Sequence, residues 1–100
     1  MIELVSVEPT VVAPLYRVRV EEQIEHEYTH SWFEFYHTEE DMKRGEEEID
    51  KRCRTPKGDY IPNVDYIDFE EEQVSFEHAK SDMTVAQFEN LYGVKVEDLL

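Results

Sequence analysis

The chain is 100 residues long and 40% hydrophobic, with 25 acidic against 10 basic residues, a formal charge of −15 and a pI near 4.4. That length supports one hydrophobic core, so residues 1–100 read as a single compact acidic domain. The charge argues against direct contact with nucleic acid or an anionic membrane, the single cysteine cannot close an internal disulfide, and no apolar run reaches membrane-spanning length, which together lead us to expect a cytoplasmic protein.

Residues 2–7 (IELVSV) alternate and are rich in β-branched side chains, which predicts a short strand, and Pro9 and Pro14 bracket a connection. From Tyr16 the alternation is clear. Tyr16, Val18 and Val20 fall on one face, Arg17, Arg19 and Glu21 on the other, and the turn is expected within residues 21–25. A second strand follows over roughly residues 28–37, with Trp32 and Tyr36 pointing one way and Phe33 and Phe35 the other. A strand apolar on both faces is expected to be central, or covered on one face by a helix or a partner.

Thr38 is a good helix N-cap, and Glu39, Glu40 and Asp41 suit the positive end of the helix dipole. The predicted helix has a thin apolar face (Met42, Ile49, Cys53), contains the poor helix former Gly45, and ends among Lys51, Arg52 and Arg54. Residues 55–58 (TPKG) have turn chemistry, and Pro62-Asn63 marks another turn. Residues 64–79 carry two patterns: Val64/Tyr66 and Val74/Phe76/His78 suit strands, while Tyr66, Phe69, Gln73 and Phe76 suit one helical face. The strand reading is preferred, with a bulge or loop at Glu70-Glu71-Glu72. The capping box Thr84-Val85-Ala86-Gln87 then opens a helix whose inner face is Val85, Phe88 and Leu91 and which Gly93 closes. The expected fold is α+β, an antiparallel sheet with two surface helices.

Residues 80–100, with the capped Thr84 helix, Tyr92-Gly93-Val94 and residues 96–100 (VEDLL), resemble the first two thirds of a LysM-type peptidoglycan-binding module. The resemblance covers about a fifth of the chain, and its sugar-binding function is not carried over.

Four constellations bear on chemistry. His26-Glu27-x-x-His30 matches the HExxH string of zinc hydrolases, which needs a helix to bring both imidazoles to one metal; on a strand they would lie about 13 Å apart. The surrounding alternation favours a strand, so no metal, cofactor or catalytic residue is expected, and a zinc hydrolase using His26, Glu27 and His30 is the minor alternative. Cys53 between Arg52 and Arg54 reads as an incidental packed thiol rather than a cation-stabilised thiolate. Residues 43–57 hold six of the ten basic residues, local cations better explained by the helix C-terminus than by a nucleic-acid site.

The acid itself is the fourth. Glu21, Glu22, Glu25 and Glu27 form one cluster, Glu39, Glu40, Asp41, Glu46, Glu47 and Glu48 a second, and Glu70, Glu71 and Glu72 a third. Carboxylates so spaced can imitate the phosphates of a duplex. The expected function is therefore non-enzymatic: an acidic inhibitor or regulator of a basic nucleic-acid-handling protein, of the DNA-mimic type that phages use in a host cytoplasm. Trp32, Phe33, Phe35 and Tyr36 are the expected hydrophobic anchors. A structural subunit using the aromatic strand as an interface, with homo-oligomer formation, is the other reading.

Overall fold

Alternating residues build a ten-residue central strand, β1 (Leu15–Ile24), and the rest of the fold is laid against it. The computed structural model describes residues 14–98, so the strand expected at residues 2–7 lies outside the described residues. β2 (Tyr28–Tyr36) and β3 (Val64–Val74) flank β1, both antiparallel to it, in the order β2-β1-β3. The helices are α1 (Glu39–Arg52), the single turn α2 (Phe76–Ala79) and α3 (Val85–Tyr92), with 3₁₀ turns at Lys80–Asp82 and Val96–Asp98. The domain is a small α+β unit built on an antiparallel sheet, as its patterning predicts.

Two cores form because the sheet as a whole is apolar toward both faces, through Val18 and Val20 of β1 on one side and Leu15 of β1 with Phe33 and Phe35 of β2 on the other. On one side Val18 and Val20 pack with Val64 and Ile67 under Met42, Ile49 and Cys53, the thin apolar face of α1. On the other, Leu15 and Phe35 pack with Phe76, Ala79, Met83, Phe88 and Val96 from the C-terminal helices and turns. Arg17 shares that second face and is buried. Its guanidinium reaches Glu72 Oε2 at 2.8 Å and Asp82 Oδ2 at 2.6 Å and lies 4.8 Å from the centre of the Phe33 ring, which tolerates the charge by pairing it.

Local chemistry sets the helix ends. Thr38 Oγ1 accepts from the Asp41 N–H at 3.0 Å, and Thr84 and Gln87 exchange both bonds of a capping box. Gly93 closes α3 at φ +67°, a left-handed conformation glycine adopts without a Cβ penalty.

Three sequence expectations need correction. β1 runs on to Ile24, so the hairpin turn lies at residues 25–27 and overlaps the expected stretch only at Glu25. Glu25 and His26 there have positive φ, and Asn63 O and Asp65 Oδ2 hold their N–H groups at 3.0 and 2.7 Å. Of the two arrangements expected for β2, the structure has the second: it is an edge strand whose second half is covered by α1 on one face and the C-terminal helices on the other. No loop interrupts residues 70–72. β3 passes straight through them because a cation meets each carboxylate: Arg19 faces Glu70, Lys43 reaches Glu71 and Arg17 binds Glu72. Finally, Phe76 and His78 belong to α2, which Ser75 caps through its hydroxyl, and not to a strand.

Candidate functional site

His26 sits in the hairpin turn with its Nδ1 3.2 Å from Asp65 Oδ2, while His30 lies in β2 with its ring centroid 4.8 Å from that of Trp32. HExxH is thus split between a turn and a strand, and the helical spacing that would pair the two imidazoles on one metal does not arise. Among the described residues there is no group of three or more His, Cys, Asp or Glu side chains placed to hold a metal ion. Cys53 is buried under α1 with its Sγ 3.4 Å from Glu22 Oε2. Burial and the neighbouring Glu22 and Asp50 carboxylates push its thiol pKa up, away from the reactive thiolate. Arg54 is engaged by Asp50 at 2.8 Å, by the Gly58 carbonyl at 2.7 Å and by the Tyr60 ring.

The three acid clusters have different fates. Glu70, Glu71 and Glu72 are neutralised within the domain by Arg19, Lys43 and Arg17 at 3.8, 2.6 and 2.8 Å. Glu21 lies 3.6 Å from Arg19, and Glu40 and Asp41 lie 3.7 and 3.5 Å from Arg44. Glu22 is turned toward Cys53 and Glu25 is in the turn. Glu39, Glu47 and Glu48 are exposed on α1, and among the described residues no cation lies within 4 Å of them in an ion pair.

Glu46 is different again. Its Oε2 is buried without a hydrogen-bond donor, and it faces Glu71 across the α1–β3 contact. Burial first, then the hydrogen bond and charge of Glu71, raise its pKa to about 7. A proton on Glu46 resolves the missing donor, because the protonated carboxyl then donates to Glu71. Lys43 and that bond hold Glu71 below the usual carboxylate range. Two clusters far apart in sequence therefore meet here as a structural contact.

The four expected anchors are mostly absorbed by the fold. Phe35 is 8% exposed in the second core with Phe33 against it, and Trp32 and Tyr36 pack on the α1 side. Trp32 Nε1 donates to Glu34 Oε1 at 2.9 Å. Tyr36, however, also lines an open cleft of about 360 Å³ where the end of β2 meets α1 and α3, together with His37, Asp41, Arg44, Gly45, Glu48 and Asn90. Gly45 makes the close approach possible: a Cβ there would run into the Tyr36 ring. Burial, then the charges of Glu34, Glu46 and Glu48, push the Tyr36 hydroxyl up to about 12, so it stays a hydrogen-bond donor in a negative field. His37 closes one wall by donating Nε2–H to the Leu91 carbonyl at 2.6 Å.

In this cleft an expected anchor (Tyr36) and members of an expected acid cluster (Asp41, Glu48) come together. His37, Arg44 and Asn90 had no sequence signal as site residues. Asn90 is more than forty residues from the others, and only the docking of α3 beside β2 brings it there. Asp41 is already met by Arg44, which lines the same cleft, so Glu48 is the rim carboxylate with no ion-pair cation among the described residues, and beside the Tyr36 ring it suits a cationic side chain. Comparison with protein-family models, curated proteins and solved structures returned no match, so the LysM-like tail rests on sequence alone.

Proposed function

We propose that this domain is a non-enzymatic acidic binding protein, an inhibitor or regulator that presents its α1 side to a basic nucleic-acid-handling protein. The observation that carries the reading is the cleft of Tyr36, Asp41 and Glu48 in a chain of net charge −15. A lysine or arginine of the partner enters between the Tyr36 ring and Glu48, beside the Asp41–Arg44 pair, and the exposed Glu39 and Glu47 extend the negative surface along α1. Long-range attraction of this kind speeds encounter and selects basic surfaces, while the aromatic wall supplies the short-range contact. The Glu70–Glu72 run, paired internally, contributes to the fold and not to this face.

The test is capture of a basic partner from host lysate at low salt, followed by affinity measurement on the purified pair. Binding by the native chain is expected to fall steeply as salt rises. Glu48→Lys is expected to weaken it about tenfold, the order expected when one close charge pair is lost, with an unchanged thermal melt. Glu46 is left intact in this test because its carboxyl is part of the α1–β3 contact. Affinity indifferent to salt and to Glu48→Lys would remove the electrostatic reading.

A further inference from the structure

The two edges of the sheet are built in opposite ways. β3 carries five carboxylates in eleven residues (Asp65, Asp68, Glu70, Glu71, Glu72) and a register irregularity opposite Gln23 and Ile24, both of which discourage another strand from pairing. β2 runs Tyr28-Thr29-His30-Ser31-Trp32-Phe33 before its one carboxylate, Glu34. Tyr28, Thr29, Trp32 and Phe33 are strong β-formers, and none of the six is lysine, proline or an acid, in a chain where 35% of residues are charged. The first four are exposed, Tyr28 by 55%, and among the described residues no strand covers that edge.

We propose that the β2 edge over residues 28–33 is a self-association surface, on which a second copy of this chain adds its own β2 antiparallel, joining two three-stranded sheets into one of six strands. The occupant follows from charge. A basic partner is drawn to carboxylates, which this edge lacks, whereas an equally uncharged strand of alternating aromatic and hydroxyl residues matches it, and β2 is such a strand. Two in-phase registers are available, with the two-fold axis at His30 or at Ser31. The first sets Tyr28 opposite Trp32 of the other copy and the second sets His30 opposite Trp32; neither sets carboxylate against carboxylate. The carboxylates elsewhere on each copy repel over longer range, so added salt tightens this dimer, the reverse of its effect on a basic partner. The inference is independent of the cleft.

The test is sedimentation velocity across a concentration series at 0.15 and 0.5 M NaCl, where the Debye length is about 8 Å and about 4 Å, with emission of Trp32, the only tryptophan, followed in parallel. A mass rising from 12.0 kDa to twice that value is expected, more readily at the higher salt, with a shift in emission as the edge is covered. His30→Lys/Ser31→Lys places two cations on the edge, each opposite a β1 carboxylate (Glu22 and Glu21), so the monomer fold is retained. This variant is expected to remain a monomer with a native melt at concentrations where the unmodified chain is dimeric. An unmodified chain that is monomeric throughout, a dimer that survives in the variant, or one that loosens with salt would each overturn the proposal. So would a monomer that uses these residues for a basic partner and loses it in the variant.

Discussion

Burial of Glu46 beside Glu71 at the α1–β3 contact favours its protonated form, and this one carboxyl carries a pH dependence opposite in sign to the usual carboxylate. Because the folded-state pKa of Glu46 is raised from 4.5 to about 7, the folded protein holds this proton more tightly than the unfolded chain. The favourable contribution is fully present below the unfolded value and is lost as pH rises through about 7. Glu71, lowered by Lys43 and by Glu46, runs the other way: its contribution is present above its ordinary value and is lost as pH falls. Glu46→Gln keeps a donor toward Glu71 and removes the ionisation. It is therefore expected to stabilise the fold at pH 8 by about 1 kcal/mol, after discounting for solvent at this half-exposed position, and to be neutral near pH 5. Urea unfolding at the two pH values checks this; equal effects at both would show that Glu46 does not hold a proton in the fold.

At the scale of elements, Gly45 and β3 show how a local rule yields to a neighbour. Helix propensity alone favours alanine over glycine at an interior position by about 1 kcal/mol. Here the ring of Tyr36 fills the space a Cβ would take, so Gly45→Ala is expected to lower stability by about 1–3 kcal/mol net of that gain, as overpacking does. Thermal unfolding measures it, and a rise in melting temperature would mean that the ring moves aside freely. The glycine that weakens α1 as an isolated helix is what lets α1 dock on β2. Likewise the Glu70–Glu72 run reads as a loop in isolation, yet it stays in β3 because Arg17 and Arg19 on β1 and Lys43 on α1 meet its three carboxylates. Strand alternation at residues 15–20, the two-faced aromatics of β2, the Thr38 and Thr84 caps and Gly93 were all legible beforehand, because each depends on side chains within a few positions of one another.

Across the whole molecule, a charge of −15 on one small domain is self-repulsive, and the internal ion pairs relieve only part of it. Raising NaCl from 10 to 200 mM is expected to raise the melting temperature, since screening weakens the long-range repulsion more than the buried Arg17 contacts. Calorimetry decides this, and a fall would mean that surface ion pairs outweigh the net charge. No helix among the described residues is long and apolar enough to cross a membrane. By itself the sequence determined the α+β class, the helix caps, the faces of the first two strands and the acidity, because these follow from local spacing and composition. Only the tertiary structure decided that β2 is an edge, that the third acid cluster is internally paired, that Phe35 is core and that Tyr36 shares a cleft with Asp41, Glu48 and Asn90. Those outcomes depend on which distant segments pack together, and pairing across fifty residues leaves no mark in the spacing of neighbours.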